Sequence, residues 1–161
     1  MKRIGILTGG GDCPGLNAVI RGIVYTAKAE GWHVIGFKQG WKGIIQNKFM
    51  ELDIPQVEDI LPRGGTILGT SRTNPYKNPG DSEKVRETIK ANKLDAVIAI
   101  GGEDTLGAGH KLSKDGMPII GVPKTIDNDL NATDYTFGYD TALTIATECL
   151  DRIRTTAESH D

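Results

Sequence analysis

Cysteine is scarce in this chain of 161 residues: only Cys13 and Cys149 occur, far apart in sequence. That excludes a small disulfide-dense scaffold and leads us to expect a cytoplasmic protein with reduced thiols. Long apolar runs are lacking as well, and none approaches the length that spans a bilayer. The start, Met1 to Leu7, is too short and turns polar too soon for a signal peptide. Net charge is small, with 19 Lys and Arg against 21 Asp and Glu. No field of one sign is available to recruit nucleic acid or a membrane surface. The three histidines, His33, His110 and His160, have no metal-ligand spacing and read as surface or packing residues. Glycine, by contrast, is abundant. Its 21 residues gather at the ends of apolar runs, where backbone must approach something closely, and phosphate loops are the natural reading. The length suits one domain, residues 1–161, with room for a real core.

The densest chemistry follows the apolar run Pro118 to Val122. There Pro123-Lys124-Thr125-Ile126-Asp127-Asn128-Asp129 gathers an ammonium, a hydroxyl, an amide and two carboxylates as the chain turns toward solvent. Each group needs a partner or water, so shape alone does not explain that density. Lys124 suits phosphate oxygens, and Asp127 or Asp129 could take a proton from a hydroxyl or hold a metal. A solvated turn with an Asx cap would use similar residues.

Arg3 to Thr8 reads as a buried strand running directly into Gly9-Gly10-Gly11-Asp12-Cys13-Pro14-Gly15. Leu16, Val19, Ile20, Ile23, Val24 and Ala27 then recur at three and four, which predicts a helix with Asn17, Arg21 and Lys28 on its other face. Free N–H groups at such a helix start make an anion pocket. No Gly-Lys-Ser or Gly-Lys-Thr closes the loop, so the Walker pattern is absent, and the dinucleotide fingerprint fits poorly. A tight turn without ligand is the alternative.

Trp32 to Phe37 predicts a second strand, and the next loop sets Trp41 between Lys38 and Lys42, for ligand stacking or for packing. Residues 44–63 look irregular. Gly64 to Thr73 is a second loop rich in glycine and hydroxyls, and Arg72 near its end could fork onto phosphate oxygens or simply lie on the surface. Asp81 or Ser82 can cap a helix to about Asn92, with Val85 and Ile89 inward. The strand-like run Leu94 to Ile100 breaks into Gly101-Gly102-Glu103-Asp104-Thr105. Carboxylates beside a phosphate site favour a divalent cation, Mg²⁺ on Glu103 or Asp104, and N-capping by Asp104 is compatible with that. Tyr139, Ala142, Leu143, Ala146, Cys149, Leu150 and Ile153 trace a long final helix, its stripe and Cys149 expected in the core.

Alternation of strand and helix gives an α/β fold, a parallel sheet with helices on both faces, a Rossmann-like three-layer sandwich. Right-handed crossovers place all strand C-terminal ends on one edge, where these loops share a crevice.

With those residues named, the chain resembles the 6-phosphofructokinase family along its whole length. Gly9 to Asn17 is similar to the family's first phosphate loop, Gly101 to Thr105 to its metal and donor loop, and Pro123 to Asp129 to its catalytic loop. The resemblance implies phosphoryl transfer to the 1-hydroxyl of fructose 6-phosphate. Asp127 would be the base, Thr125 and Asp129 would place the sugar and the transferring group, and Arg72 would lie against the moving phosphoryl. Gly10, Gly11, Thr73, Gly102, Asp104 and Thr105 would meet the donor, and Glu103, where relatives often carry Asp, would hold Mg²⁺.

Family members that use ATP commonly have glycine where this chain has Asp104, and often where it has Lys124. A carboxylate at 104 would repel a nucleotide's α-phosphate, while an ammonium at 124 can neutralise the phosphate leaving from pyrophosphate. Pyrophosphate is therefore the expected donor and ATP the alternative; a non-catalytic phosphate-binding module, or a kinase of the diacylglycerol or NAD type, are the other classes. The resemblance further implies that residues 1–161 are the donor and catalytic-loop half of a longer subunit, with the sugar-phosphate half beyond residue 161 and little turnover by this piece alone. A homo-oligomer is implied too. Arg21 and Arg154 could serve an effector site, but Tyr25 and Ile54 bring no further cations to it, so effector control of the usual kind is not expected.

Overall fold

The computed structural model describes residues 1–159, so His160 lies outside the described residues. Twelve elements follow in chain order. They are β1 (Arg3–Thr8), α1 (Leu16–Ala29), β2 (His33–Phe37), α2 (Trp41–Ile45), β3 (Phe49–Leu52), α3 (Ile54–Val57), α4 (Asp81–Ala91), β4 (Ala96–Gly101), α5 (Glu103–Lys114), β5 (Ile119–Thr125), β6 (Phe137–Gly138) and α6 (Tyr139–Glu158). One sheet of six strands has the order β3-β2-β1-β4-β5-β6. The α/β class stands, but the sheet is mixed, because β3 at the edge runs antiparallel to β2. Residues 44–63 were expected to be irregular, and they hold β3 and α3. Phe49 and Leu52 bring the strand against β2, and Asp53 with Gln56 closes a capping box around α3.

Strand alternation decides which residues meet which helices. Ile4 and Ile6 of β1 join Leu16, Val19, Ile20 and Val24 of α1 in a core on one face. Leu7, Val97 and Ala99 join Ile89, Ala108 and Leu112 in a core on the other. The apolar stripe of α1 falls where its spacing predicts, but Asn17 is buried rather than on the outer face. The helix at 81 is preceded by Gly80 in a left-handed conformation and has no side-chain cap; Asp81 instead pairs with Lys84 at 2.8 Å and accepts from Asn78.

The last helix, α6, does not enter the core its apolar stripe led one to expect. None of its side chains is buried, Leu143, Leu150 and Ile153 are exposed, and so is Cys149. The helix meets the body chiefly at its first turn, beside β6, so its apolar stripe has no facing surface among the described residues. On the α1 side of β4 and β5, Ile120 is likewise 54% exposed.

Candidate active site

The direction of winding reverses at β1, which has β2 on one side and β4 on the other, and the loops that leave β1 and β4 part there. Such a switch point opens a crevice at the strand ends. Gly9 N–H donates to the Ile100 carbonyl at 2.8 Å, which locks the two loop origins together. A β-carbon at Gly9 or at Gly101 would collide with the Thr105 side chain. Thr105, 4% exposed, is wedged between the two loops because both positions lack one.

Asp104 makes no capping bond: the N-cap of α5 is Gly102, and Glu103 and Asp104 lie in the first turn with exposed carboxylates. Their charge still complements the positive helix start. The segment Gly64–Thr73 was expected to join the crevice at the strand ends, yet it follows α3 and no strand delivers it there. It reaches the rim because Asn17 holds it, donating through Nδ2 to the carbonyls of Arg63 and Gly64 and accepting the Ile67 N–H at 2.9 Å. Thr8 Oγ1 adds a bond to the Gly69 carbonyl at 3.0 Å, and Ser71 Oγ donates to the Gln39 carbonyl at 2.7 Å. Arg72 is exposed at the rim and enters no ion pair among the described residues.

Lys124 and Thr125 end β5 rather than opening a loop. Being inside a strand fixes Lys124, a residue only 3% exposed, and its Nζ donates to the Gly11 carbonyl at 2.6 Å. Burial pushes its pKa down, opposed by the nearby charges of Asp12 and Asp127. Cys13, 1% exposed, lies beside it, and burial raises its thiol pKa. Beyond β5, the exposed Asp127 is held by a short turn, its N–H donating to Thr125 Oγ1 at 3.1 Å.

Two adjoining cavities result. The inner one, about 230 Å³, is lined by Gly10, Gly102, Glu103, Asp104, Thr105, Thr125, Asp127 and Asp129. The outer one, about 710 Å³, shares Gly10, Asp104 and Thr105 and adds Gly11, Trp41, Thr70, Ser71, Arg72, Thr73, Asn74 and Lys77. The candidate site residues Gly10, Gly11, Arg72, Thr73, Gly102, Glu103, Asp104, Thr105, Thr125, Asp127 and Asp129 thus line these two cavities, and Lys124 reaches them only through Gly11. Trp41 opens α2 and is 2% exposed, so it is packing that the outer cavity only grazes. Asn17 is the residue the sequence reading missed. Its signal was an amide just inside a helix that follows a glycine loop, where nothing else would make a helix core polar.

Among the described residues no three His, Cys, Asp or Glu side chains are grouped to hold a metal by themselves. Four carboxylates on the inner cavity are nonetheless hard oxygen donors of the kind that share Mg²⁺ with substrate phosphates, so the donor set fits that ion. No helix among the described residues is long and apolar enough to cross a membrane.

A family model described as phosphofructokinase matches residues 3–161. The pyrophosphate--fructose 6-phosphate 1-phosphotransferase of Amycolatopsis methanolica is 62% identical over 159 residues, covering 98% of this chain and 47% of its own length. An ATP-dependent 6-phosphofructokinase 3 of Streptomyces coelicolor is 57% identical, with the same coverage on both sides. The crystal structure of Pichia pastoris phosphofructokinase in the T-state superposes with a TM-score of 0.88 at 28% identity, over 94% of this chain and 18% of that one. The chain spans about half the length of the curated relatives it matches.

Proposed function

This chain belongs to the phosphofructokinase family, and on that footing we propose that its rim serves the transfer of a phosphoryl group from pyrophosphate to the 1-hydroxyl of fructose 6-phosphate, giving fructose 1,6-bisphosphate. The observation that carries this reading is that two groups meet the same glycine loop: the acidic oxygen of Asp127, which lines the inner cavity with Gly10, and the buried ammonium of Lys124, bonded to the Gly11 carbonyl behind it. Asp127 accepts the hydroxyl proton as the sugar oxygen attacks phosphorus, while Thr125 and Asp129 hold that sugar in line. Arg72 forks onto the moving phosphoryl, and Lys124 neutralises the phosphate that leaves. Gly10, Gly11 and Gly102, with Thr73 and Thr105, give the donor backbone N–H groups, hydroxyls and room. Glu103 would hold Mg²⁺, which when bound offsets the charge of the donor phosphates.

Residues 1–161 act in this reading as the donor and catalytic-loop half of a cytoplasmic homo-oligomer, the sugar-phosphate contacts coming from the length that the relatives have in addition. Pyrophosphate is preferred because the Asp104 carboxylate stands where the two cavities join and would oppose a nucleotide's α-phosphate. ATP is the second reading, favoured by the outer cavity, whose volume lies in the roughly 300–1,000 Å³ range of whole small-molecule sites.

In an enzyme of the relatives' full length carrying these residues, kcat/KM should be higher with pyrophosphate than with ATP, and the reverse order overturns the donor assignment. Asp104→Gly should raise kcat/KM for ATP. Asp127→Ser should lower kcat by about 10²–10⁴ and leave diphosphate binding by calorimetry intact; an unchanged kcat removes Asp127 as the base, whereas diphosphate binding without turnover in the unaltered enzyme favours a binding module.

A further inference from the structure

The candidate base sits at the start of an eleven-residue excursion, 126–136, between β5 and β6. A carboxylate on so long an exposed loop would sample many orientations, each a loss to a reaction that needs a proton acceptor at one place. Asn128 counters this from the next position. Its φ of 52° is left-handed, a conformation that asparagine tolerates better than most side chains, and it turns the chain sharply just after Asp127. Its side chain then reaches across the neck of the excursion. Oδ1 accepts the Thr136 N–H at 2.9 Å, and Nδ2 donates to the Asp134 carbonyl at 3.4 Å. Thr136, 3% exposed, donates its hydroxyl to the Thr125 carbonyl at 2.8 Å. The two residues before and after the turn, Thr125 and Asn128, are therefore tied to one buried threonine, and Asp127 lies between them.

We propose that Asn128 and Thr136 form a latch that positions Asp127, Asn128 acting through the turn and Thr136 through the strand end. Neither side chain lines the inner cavity, so neither is needed to bind substrate. Their effect falls on the step in which Asp127 takes the proton, and the inference rests on the phosphoryl-transfer reading above.

The test uses the full-length enzyme. Asn128→Gly keeps the positive φ and removes the latch; Thr136→Val keeps shape and N–H and removes the hydroxyl. Each should lower kcat by about tenfold to a hundredfold and leave KM for pyrophosphate unchanged. Because the two act as one unit, the double variant should lose little more than the worse single one. Asn128→Asp restores the acceptor and should recover part of kcat lost in Asn128→Gly. Wild-type kcat in both single variants, strictly additive losses, or a rise in KM equal to the fall in kcat would each overturn the latch. Absence of transfer from pyrophosphate or ATP in the wild type would instead defeat the reading on which it rests.

Discussion

Lys124 shows how much a single side chain can be asked to do. Its ammonium is buried, its hydrogen bond is to the Gly11 carbonyl, and desolvation drives its pKa below the ordinary 10.5. The folded chain thus holds fewer protons than the unfolded chain between the depressed value and 10.5. The Lys124 contribution to stability should rise with pH across that window, because the cost of burying the charge is relieved as the proton leaves. Urea unfolding of the wild type and of Lys124→Met over an alkaline pH series should show the wild type gaining stability relative to the variant, even as the buried Cys13 thiol, its own pKa raised, works the other way in both. A constant difference between the two would mean that burial of the charge is not what shifts the group. The same substitution should lower kcat with pyrophosphate by about 10²–10³ in the full-length enzyme, since an anion at this site is what makes a buried ammonium worth keeping.

At the scale of elements, the fold was legible wherever one local signal governed it. The strands β1 and β4 announced themselves as continuous apolar runs, as strands covered on both faces do, and α1 by its period. The edge strand β3 was not legible, because Phe49-Met50-Glu51-Leu52 is short, mixed and specified by its pairing with β2 rather than by its own pattern. The first, second and third glycine or acidic loops were readable as site candidates one by one. What brought them together was not, since Asn17 reaching Gly64 and Thr105 wedged between Gly9 and Gly101 are contacts between segments far apart in sequence. Gly138 is a further such contact: it starts α6 with a φ of 103°, and a β-carbon there would strike Cys13 and Pro14 of the first loop. Gly138→Ala should therefore destabilise the chain by about 1–3 kcal/mol through both overpacking and backbone strain, measurable as a lower denaturant midpoint. An unchanged midpoint would show that the first loop and α6 are not in register as described.

For the molecule as a whole, the decisive feature is apolar surface left uncovered. Leu143, Leu150 and Ile153 on α6 and Ile120 on β5 are all more than half exposed. Sequence period marked the α6 stripe correctly as apolar but could not say what would cover it, and that is why Cys149 was expected in a core. The 161-residue polypeptide by itself should bind an apolar dye such as ANS and associate with rising concentration in sedimentation, and an enzyme of the relatives' length should bind less of the dye per chain. A dye-silent monomer would contradict the exposure described. The same arrangement equips the protein with a natural gauge of its own motions. Cys149 is open to a thiol reagent, whereas Cys13 is sealed under the Phe137–Gly138 backbone with its proton held by burial. Alkylation at Cys13 must wait for that seam to part, so its lag behind Cys149 times the breathing of the joint between the first loop and α6, and a bound diphosphate should lengthen the wait.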